Sequence, residues 1–253
     1  MGRGRAEIPP MRRRFFVDRF ESNSAVLHGD SAEHLGRVLR AERGQLYELS
    51  DGQHLWLARV ERIALAHGGR SRVEFCLVEP LSALEPRLRL DLLLSIVKFD
   101  RFEWCLEKAA ELGATSIVPV AAARSDQSLL AAADRRQKRW RRILLESAQQ
   151  ARRLAPPALH DISKPESAFA KFRAPLKILF SERRDAAPLC EVFHTPSAVA
   201  AVLAIGPEGG WTEADLTAAR LAGFAEASLG ENILRTETAV VAALAILRFV
   251  LGN

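Results

Sequence analysis

"AIGPEGGWTEAD", residues 204–215, carries an apolar run into a Gly-Pro-Glu-Gly-Gly turn and then into a helix start. It reads as a strand ending at Ile205, a turn, and a helix capped by Thr212, with Asp215 three residues on in a capping-box pattern. Glycines at 206, 209 and 210 allow positive φ and let a ligand touch bare backbone. In open α/β sheets ligands collect at the carboxyl ends of strands. No Gly-Lys-Ser/Thr follows and the spacing is not Gly-x-Gly-x-x-Gly, so the two familiar phosphate loops are excluded. An ordinary strand-to-helix turn has the same pattern. The stretch alone leaves both readings open.

The arrangement recurs at residues 228–247, "SLGENILRTETAVVAALAIL". A short strand reaches a Gly turn, and Leu-Arg-Thr-Glu-Thr-Ala opens a helix that is apolar nearly all round. Such a helix is expected to be buried in a core or at a subunit interface. Arg235 stands at its N-terminus, where the helix dipole disfavours a cation. Contact with an anionic ligand or substrate would explain it, and so would a salt bridge with Glu237.

Working outward, "RLRLDLLLSIVK" (87–98) reads as a buried strand and "DRFEWCLEKAAELG" (100–113) as a helix stopped by Gly113. "ATSIVPV", "LKILFS" (176–181), "AVAAVLAIG" (198–206) and "AEASLG" (225–230) are further strand-like runs between helical patterns. The alternation predicts an α/β domain with a mostly parallel sheet over residues 86–253. Residues 1–80 have a different rhythm. "FFVDRF", "SAVLHGD" and "SRVEFCLVEP" are short strands, "SAEHLGRVLRAERG" a short helix with its N-cap at Ser31 and Gly44 beyond its end, and Asp51-Gly52 a hairpin turn. Short strands around one helix predict a small β-barrel. "EPLSALEP" (79–86), with two prolines, predicts a linker.

The 253 residues are 48% hydrophobic and 26% charged, the composition of a soluble globular protein. No apolar stretch approaches the roughly 20 residues that span a bilayer. The basic N-terminus lacks the apolar core of a signal peptide. Cys76, Cys105 and Cys190 are too few and too scattered for a disulfide framework or a zinc site, and no histidine pair has ligand spacing. The expectation is a reduced, cytoplasmic, metal-free protein.

The formal net charge of +5 is unevenly spread. Residues 124–153 carry nine basic and three acidic side chains, and residues 204–253 three basic and six acidic. A helix is predicted from about Asp134 to Arg153, with Trp140, Ile143, Leu144, Ala148 and Ala151 as its buried stripe. Arg135, Arg139, Arg142, Glu146, Gln149 and Arg153 step along another face, presenting guanidinium groups suited to phosphates. A solvated helix face has the same composition.

"IGPEGG" followed some twenty residues later by "LGENILRTETA" resembles the RsmE-type methyltransferases of the SPOUT superfamily. "RRRFFV" and "HLGRVLRAERGQLYELSDG" resemble that family's N-terminal PUA-like RNA-binding barrel. "KFDRFEWCLEKAAELGATSIVPV" matches its Lys-x-Asp-Arg-x-Glu segment at Lys98, Asp100, Arg101, Glu103, Lys108, Glu111, Leu112 and Gly113. "ARSDQS" and "ESAQQARR" occupy the positions of its Ser-Glu-Arg and Glu-x-x-x-Gln-x-x-Arg elements. The chain departs at Phe99, where a small residue is usual, and at "AARSDQ", which keeps Arg124 without its acidic neighbour.

The resemblance implies a trefoil-knotted C-terminal domain binding S-adenosylmethionine, methylation of N3 of a uridine in small-subunit ribosomal RNA, and a homodimer with its active site near the subunit boundary. It places the cofactor among Leu179, Phe180, Ser181, Ile205, Gly206, Pro207, Glu208, Gly209, Gly210, Leu229, Gly230, Asn232, Ile233, Leu234 and Arg235. Arg235 is the candidate for stabilising charge that develops on the uracil carbonyls. Glu208 either favours the sulfonium charge or braces the fold. Arg14, Arg37, Arg40, Arg124, Arg139, Arg142, Arg152 and Arg153 are the candidate RNA contacts. The competing readings are a fold-sharing RNA-binding protein with a different or lost target, and an enzyme of a small molecule.

Overall fold

A computed structural model describes residues 13–66, 69–82, 87–193 and 198–252. The chain divides into two compact units, one of residues 1–85 with 152–155, the other of 86–151 with 156–253. Of the expected linker, 79–86, the first three residues continue a strand, Arg72–Leu81, and residues 83–86 lie outside the described residues.

The first unit is built on β1 (Arg14–Phe16), β2 (Phe20–Glu21), β3 (Ser24–His28), β4 (Leu46–Ser50), β5 (Leu55–Ala64) and β6 (Arg72–Leu81). They form one sheet in the order β1-β4-β5-β6-β3-β2. The β1–β4 pair is parallel and the rest antiparallel. Register shifts along β5, at Leu57/Ala58 and Val60/Arg62, add the local bend that bulges give. The expected barrel is thus seen as a six-stranded sheet, with no ladder joining β1 to β2 among the described residues. The Asp51-Gly52 turn does join β4 to β5. Gly52 takes φ 92°, and Asp51 Oδ1 accepts the Gln53 and His54 amides at 2.9 and 2.7 Å.

The helix expected over 31–44 is shorter and starts earlier. α1 (Gly29–Glu33) follows His28 rather than a Ser31 cap, and a π-helical turn, His34–Val38, completes it. Arg40, at φ 50°, takes the chain out of helix well before Gly44. Leu35, buried beneath, packs with Phe15, Leu27, Leu49, Val60 and Phe75.

Glu48 ties this unit together. Its Oε2 accepts Arg14 Nε and Nη2 at 3.0 and 2.9 Å, and Arg152 pairs with its Oε1. Arg14 Nη1 also donates to the Arg152 carbonyl at 2.5 Å, and Ser50 Oγ to that of Leu154 at 2.6 Å. A carboxylate this buried needs its cations, since an unpaired buried charge is costly.

The second unit is a seven-stranded parallel sheet, so the alternation read from sequence is observed. Its strands are β7 (Arg89–Ser95), β8 (Ser116–Val120), β9 (Ala158–Leu159), β10 (Leu176–Phe180), β11 (Ala187–Pro188), β12 (Ala200–Ile205) and β13 (Ala225–Ser228). Their order is β11-β13-β10-β12-β7-β8-β9, which sets β12 between β7 and β10. Side chains alternate between two cores, as period two demands. Leu90, Leu92, Leu94, Ile178, Leu203 and Ile205 face one, and Leu93, Leu179, Val202 and Ala204 the other.

The first core is covered by α2 (Phe99–Glu111), α4 (Gln137–Gln150) and α8 (Thr236–Leu251). The second is covered by α5 (Pro165–Lys171) and α7 (Glu213–Leu221). Gly113 (φ 87°) follows α2 as expected. The helix expected over 134–153 resolves into α3 (Gln127–Ala133), a 3-10 turn Asp134–Arg136, and α4. Trp140, Leu144 and Ala148 are buried as the periodicity predicts. α4 stops at Gln150 because Arg152 takes φ 52° and residues 152–155 join the first unit.

α8 is not apolar toward solvent all round. Val240, Ala243, Leu244, Leu247 and Leu251 enter the core, while Ile246, Phe249 and Val250 are 39%, 76% and 40% exposed. Charges introduced at Val240 or Leu244 would therefore test folding rather than association. Among the described residues no helix is long and apolar enough to cross a membrane, and no cluster of three metal-ligating side chains occurs.

Arg14→Met should lower unfolding stability by about 3 kcal/mol, the low end for a broken buried pair, because Arg152 still faces Glu48. The shift in urea midpoint measures it. An unchanged midpoint would make the Glu48 cluster dispensable.

Candidate functional site

β10, β12 and β13 run parallel and in register, so their carboxyl ends lie along one edge, with Phe180 level with Ile205 and with Ala227. The segments leaving that edge enclose a cavity of about 780 Å³, within the range of small-molecule sites. Phe180 and Ser181 line it from β10, and Ile205, Gly206, Pro207, Glu208, Gly210 and Trp211 from the turn after β12. The segment Ser228–Thr236 after β13 contributes its third side.

The turn after β12 is fixed from several directions. Gly210 donates to the Pro207 carbonyl at 2.8 Å and takes φ 69°. Trp211 folds back so that a Cβ on Gly206 would lie 3.1 Å from its ring, and its indole Nε1 donates to the Phe180 carbonyl at 3.0 Å. A Cβ on Gly209 would lie 3.2 Å from the Arg124 side chain, whose Nη1 donates to the Gly209 carbonyl at 2.8 Å. The glycines thus serve two needs. Gly210 and Gly230 (φ 124°) supply conformation, whereas Gly206 and Gly209, outside the positive-φ region, admit the protein's own Trp211 and Arg124. The expected capping box is formed, with Thr212 N–H donating to Asp215 Oδ2 at 2.9 Å and Asp215 N–H to Thr212 Oγ1 at 3.2 Å.

Every proposed cofactor residue except Leu179 and Gly209 lines this cavity. The Leu179 side chain is fully buried in the opposite core layer, as strand alternation requires. Gly209 packs against Arg124 instead of facing the space. Glu182, Arg183, Arg184 and Trp211 also line it and were not foreseen. "SERRDA", directly after the β10 run, was the available signal, since a parallel strand's carboxyl end supplies the site wall. Arg183 is committed to Asp185, Glu213 and Glu226, and its hydrogen bonds to Asp185 foremost push its pKa upward.

Arg235 occupies the N-cap of α8 with extended backbone, φ −65° and ψ 153°. Its side chain is exposed and makes no ion pair among the described residues. Glu237, the salt-bridge partner that sequence suggested, lies 4.0 Å from Arg101 Nε instead. Glu208 Oε1 accepts Arg101 Nη1 at 2.8 Å. Thr236 Oγ1 is 3.4 Å from the Gly206 carbonyl.

The remaining arginines separate by their partners. Arg14 and Arg152 surround Glu48, and the buried Arg14 is not available to a polyanion. Arg124 belongs to the cavity wall. Arg139 grips Glu103 at 2.9 and 2.8 Å, and Arg142 lies 3.6 Å from Glu146. Arg37 pairs with Glu33 at 3.1 Å, and Arg40 is exposed. Arg153 is half-buried. Exposed pairs of this kind contribute little to stability and can be exchanged for a phosphate.

Residues 84–248 match the model of an RNA methyltransferase domain family. Ribosomal RNA small subunit methyltransferase E of Synechocystis is 32% identical over 84% of this chain and 68% of its own length. The protein of that name from Mycobacterium bovis is 27% identical over 91% and 88%. Among solved structures, a ribosomal RNA small subunit methyltransferase E from Neisseria gonorrhoeae bound to S-adenosyl methionine is 31% identical. It superposes with a TM-score of 0.83 over 96% of this chain and 99% of that one. A putative methyltransferase from Legionella pneumophila, also with bound cofactor, has a TM-score of 0.83 at 25% identity.

Trp211→Phe keeps the ring over Gly206 and deletes the hydrogen bond to Phe180. It should cost about 1 kcal/mol, read from the urea midpoint. A variant as stable as the parent would mean that the indole does not fix the turn.

Proposed function

The chain belongs to the ribosomal RNA small subunit methyltransferase E family of RNA methyltransferases, and on that premise we propose that it methylates N3 of a uridine in small-subunit ribosomal RNA, using S-adenosylmethionine. The observation that carries the reading is the cavity at the carboxyl ends of β10, β12 and β13, walled by the Gly206–Gly210 turn and the Leu229–Leu234 segment, with Arg235 at its side. Its volume and bare backbone suit an adenosyl group, and Phe180, Ile205, Leu229 and Leu234 give apolar walls. β12, set between β7 and β10, is the arrangement a trefoil knot of this unit would use. The first unit is proposed as the PUA-like RNA-binding module of residues 1–80, using Arg37 and Arg40. The α4 face with Arg139 and Arg142 is proposed as an RNA contact of the second unit.

Bound S-adenosylmethionine supplies a methyl group activated on a sulfonium. The protein's part is placement and charge. N3 lies on the Watson–Crick edge, so the uridine enters unpaired or flipped. Loss of the N3 proton to water would leave negative charge on the flanking carbonyl oxygens, and that charge would be neutralised as the methyl passes to N3, its bond to sulfur breaking to leave a neutral thioether. Arg235, already at the cavity and free of a carboxylate partner among the described residues, is placed to meet it. Enclosure of the reacting atoms supplies the remaining advantage through orientation.

We propose further that two copies associate through α8, whose Ile246, Phe249 and Val250 leave apolar surface at its C-terminal end.

Calorimetry should give saturable S-adenosylmethionine binding, and digestion of treated small-subunit ribosomal RNA should yield N3-methyluridine by mass spectrometry. Binding of RNA without methyl transfer would overturn the enzymatic reading in favour of an RNA-binding protein. Arg235→Gln should lower kcat by about 100-fold, the scale of one lost charge-stabilising donor, with cofactor affinity nearly kept. A loss confined to cofactor KM would remove Arg235 from the chemistry. In sedimentation equilibrium, the parent chain should run as a dimer and Phe249→Glu as a folded monomer. A 28 kDa parent with full activity would defeat the association.

A further inference from the structure

Arg101 is the third residue of α2 and is not among the residues that line the cavity. One guanidinium nevertheless reaches two acidic side chains from two different segments beside it. Its Nη1 is 2.8 Å from Glu208 Oε1 in the turn after β12, and its Nε is 4.0 Å from Glu237 Oε1 in the first turn of α8. Glu208 is a cavity wall itself, and Glu237 follows directly on the Ser228–Thr236 wall. Both walls are otherwise irregular segments, without ladder partners beyond Ile205 and Ser228. Thr236 Oγ1 donates to the Gly206 carbonyl between them, and at 3.4 Å that hydrogen bond is long and correspondingly weak.

The surroundings make this cation hard to replace. Glu237 Oε2 is enclosed and has no hydrogen-bond partner among the described residues. Cys105, one turn along α2 from Arg101 and fully buried, has its thiol pushed up to about 12 by burial, with Glu237 and then Glu208 adding to the effect. Two carboxylates therefore converge on the first turn of α2, Glu208 half-exposed and Glu237 largely enclosed, and Arg101 alone is paired with both among the described residues. Without it, like charges face each other across the junction of the two walls and push them apart.

We infer that Arg101 is a positioning residue, an ionic clasp that holds the turn after β12 and the start of α8 at the spacing the S-adenosylmethionine site requires. This rests on the proposed identity of the ligand. Arg101 acts through Glu208 and Glu237 and touches neither the ligand nor the reacting atoms. Its effect belongs to cofactor affinity, whereas that of Arg235 belongs to turnover. The guanidinium fork is needed because a lysine ammonium is a single point charge and serves one carboxylate well rather than two.

Arg101→Met, Arg101→Lys, Glu208→Gln and the double variant Arg101→Met/Glu208→Gln separate the possibilities, each first checked for a normal urea transition. In calorimetry with S-adenosylmethionine, Arg101→Met should raise Kd three- to tenfold, with the cofactor KM following and kcat at saturating cofactor within twofold. Arg101→Lys should fall between it and the parent. The double variant should bind more tightly than Arg101→Met, because removing the Glu208 charge relieves the repulsion. An unchanged Kd in folded Arg101→Met would overturn the clasp, and so would a fall in kcat with cofactor KM unchanged. A double variant weaker than Arg101→Met would overturn the repulsion argument. A parent chain that binds no S-adenosylmethionine would overturn the functional reading instead, so the two failures are told apart.

Discussion

The candidate site depends on the parallel registration of β12 between β7 and β10. Phe180 and Ile205 end their strands side by side, level with Leu94 one residue before the end of β7, so the turns that follow leave from one edge. Parallel strands also orient every backbone the same way, and the chain must return by a crossover before each new strand begins. The turns at the carboxyl edge are therefore brought together by ladders whose partners are far apart in sequence. Trp211 adds a local restraint by donating to the last carbonyl of β10 while its ring covers Gly206. The turn is held to the sheet by that contact and to α2 by an ion pair, and Gly206 and Gly209 are the positions where Trp211 and Arg124 come closest.

What sequence revealed follows from the range of the forces involved. The Asp51-Gly52 hairpin, the Thr212–Asp215 capping box and the Gly113 helix stop are set by residues within four positions of each other, and all three appear. The buried stripe of α4 was equally legible, because Trp140, Leu144 and Ala148 repeat at helical spacing. The 29–38 helix was misjudged at both ends. Its start is set by the exit from β3, and its finish by the left-handed turn at Arg40, neither of which a cap residue announces. The end of α4 was misplaced for a related reason. Residues 152–155 pack with a strand a hundred positions earlier.

Charge was the least readable feature. Residues 124–153 carry an excess of arginine, yet Arg139 is held by Glu103, Arg152 by Glu48, and Arg124 by a backbone carbonyl at Gly209. Those partners lie 36, 104 and 85 residues away. A window of thirty residues counts the cations and misses the anions that folding supplies. The same error runs the other way at Arg235. Glu237 stands two residues off and looks like its natural partner, but side chains two positions apart at a helix start do not share a face, and Glu237 faces Arg101.

Solvent exposure then decides which of these cations can act. Arg14 is buried against Glu48 and its charge is spent on the fold, since withdrawing it would strand a carboxylate away from water. Arg142 pairs with Glu146 at the surface, where solvent screening leaves little to lose if a phosphate displaces the glutamate, while the largely enclosed Glu103 that Arg139 grips keeps Arg136 at 3.7 Å. Arg235 has no carboxylate to give up among the described residues, and it caps a helix whose N-terminal dipole already disfavours a cation. A cation kept in such a place gains its stabilisation only when an anion arrives. In the proposed reaction, that anion is the charge that develops on the acceptor base.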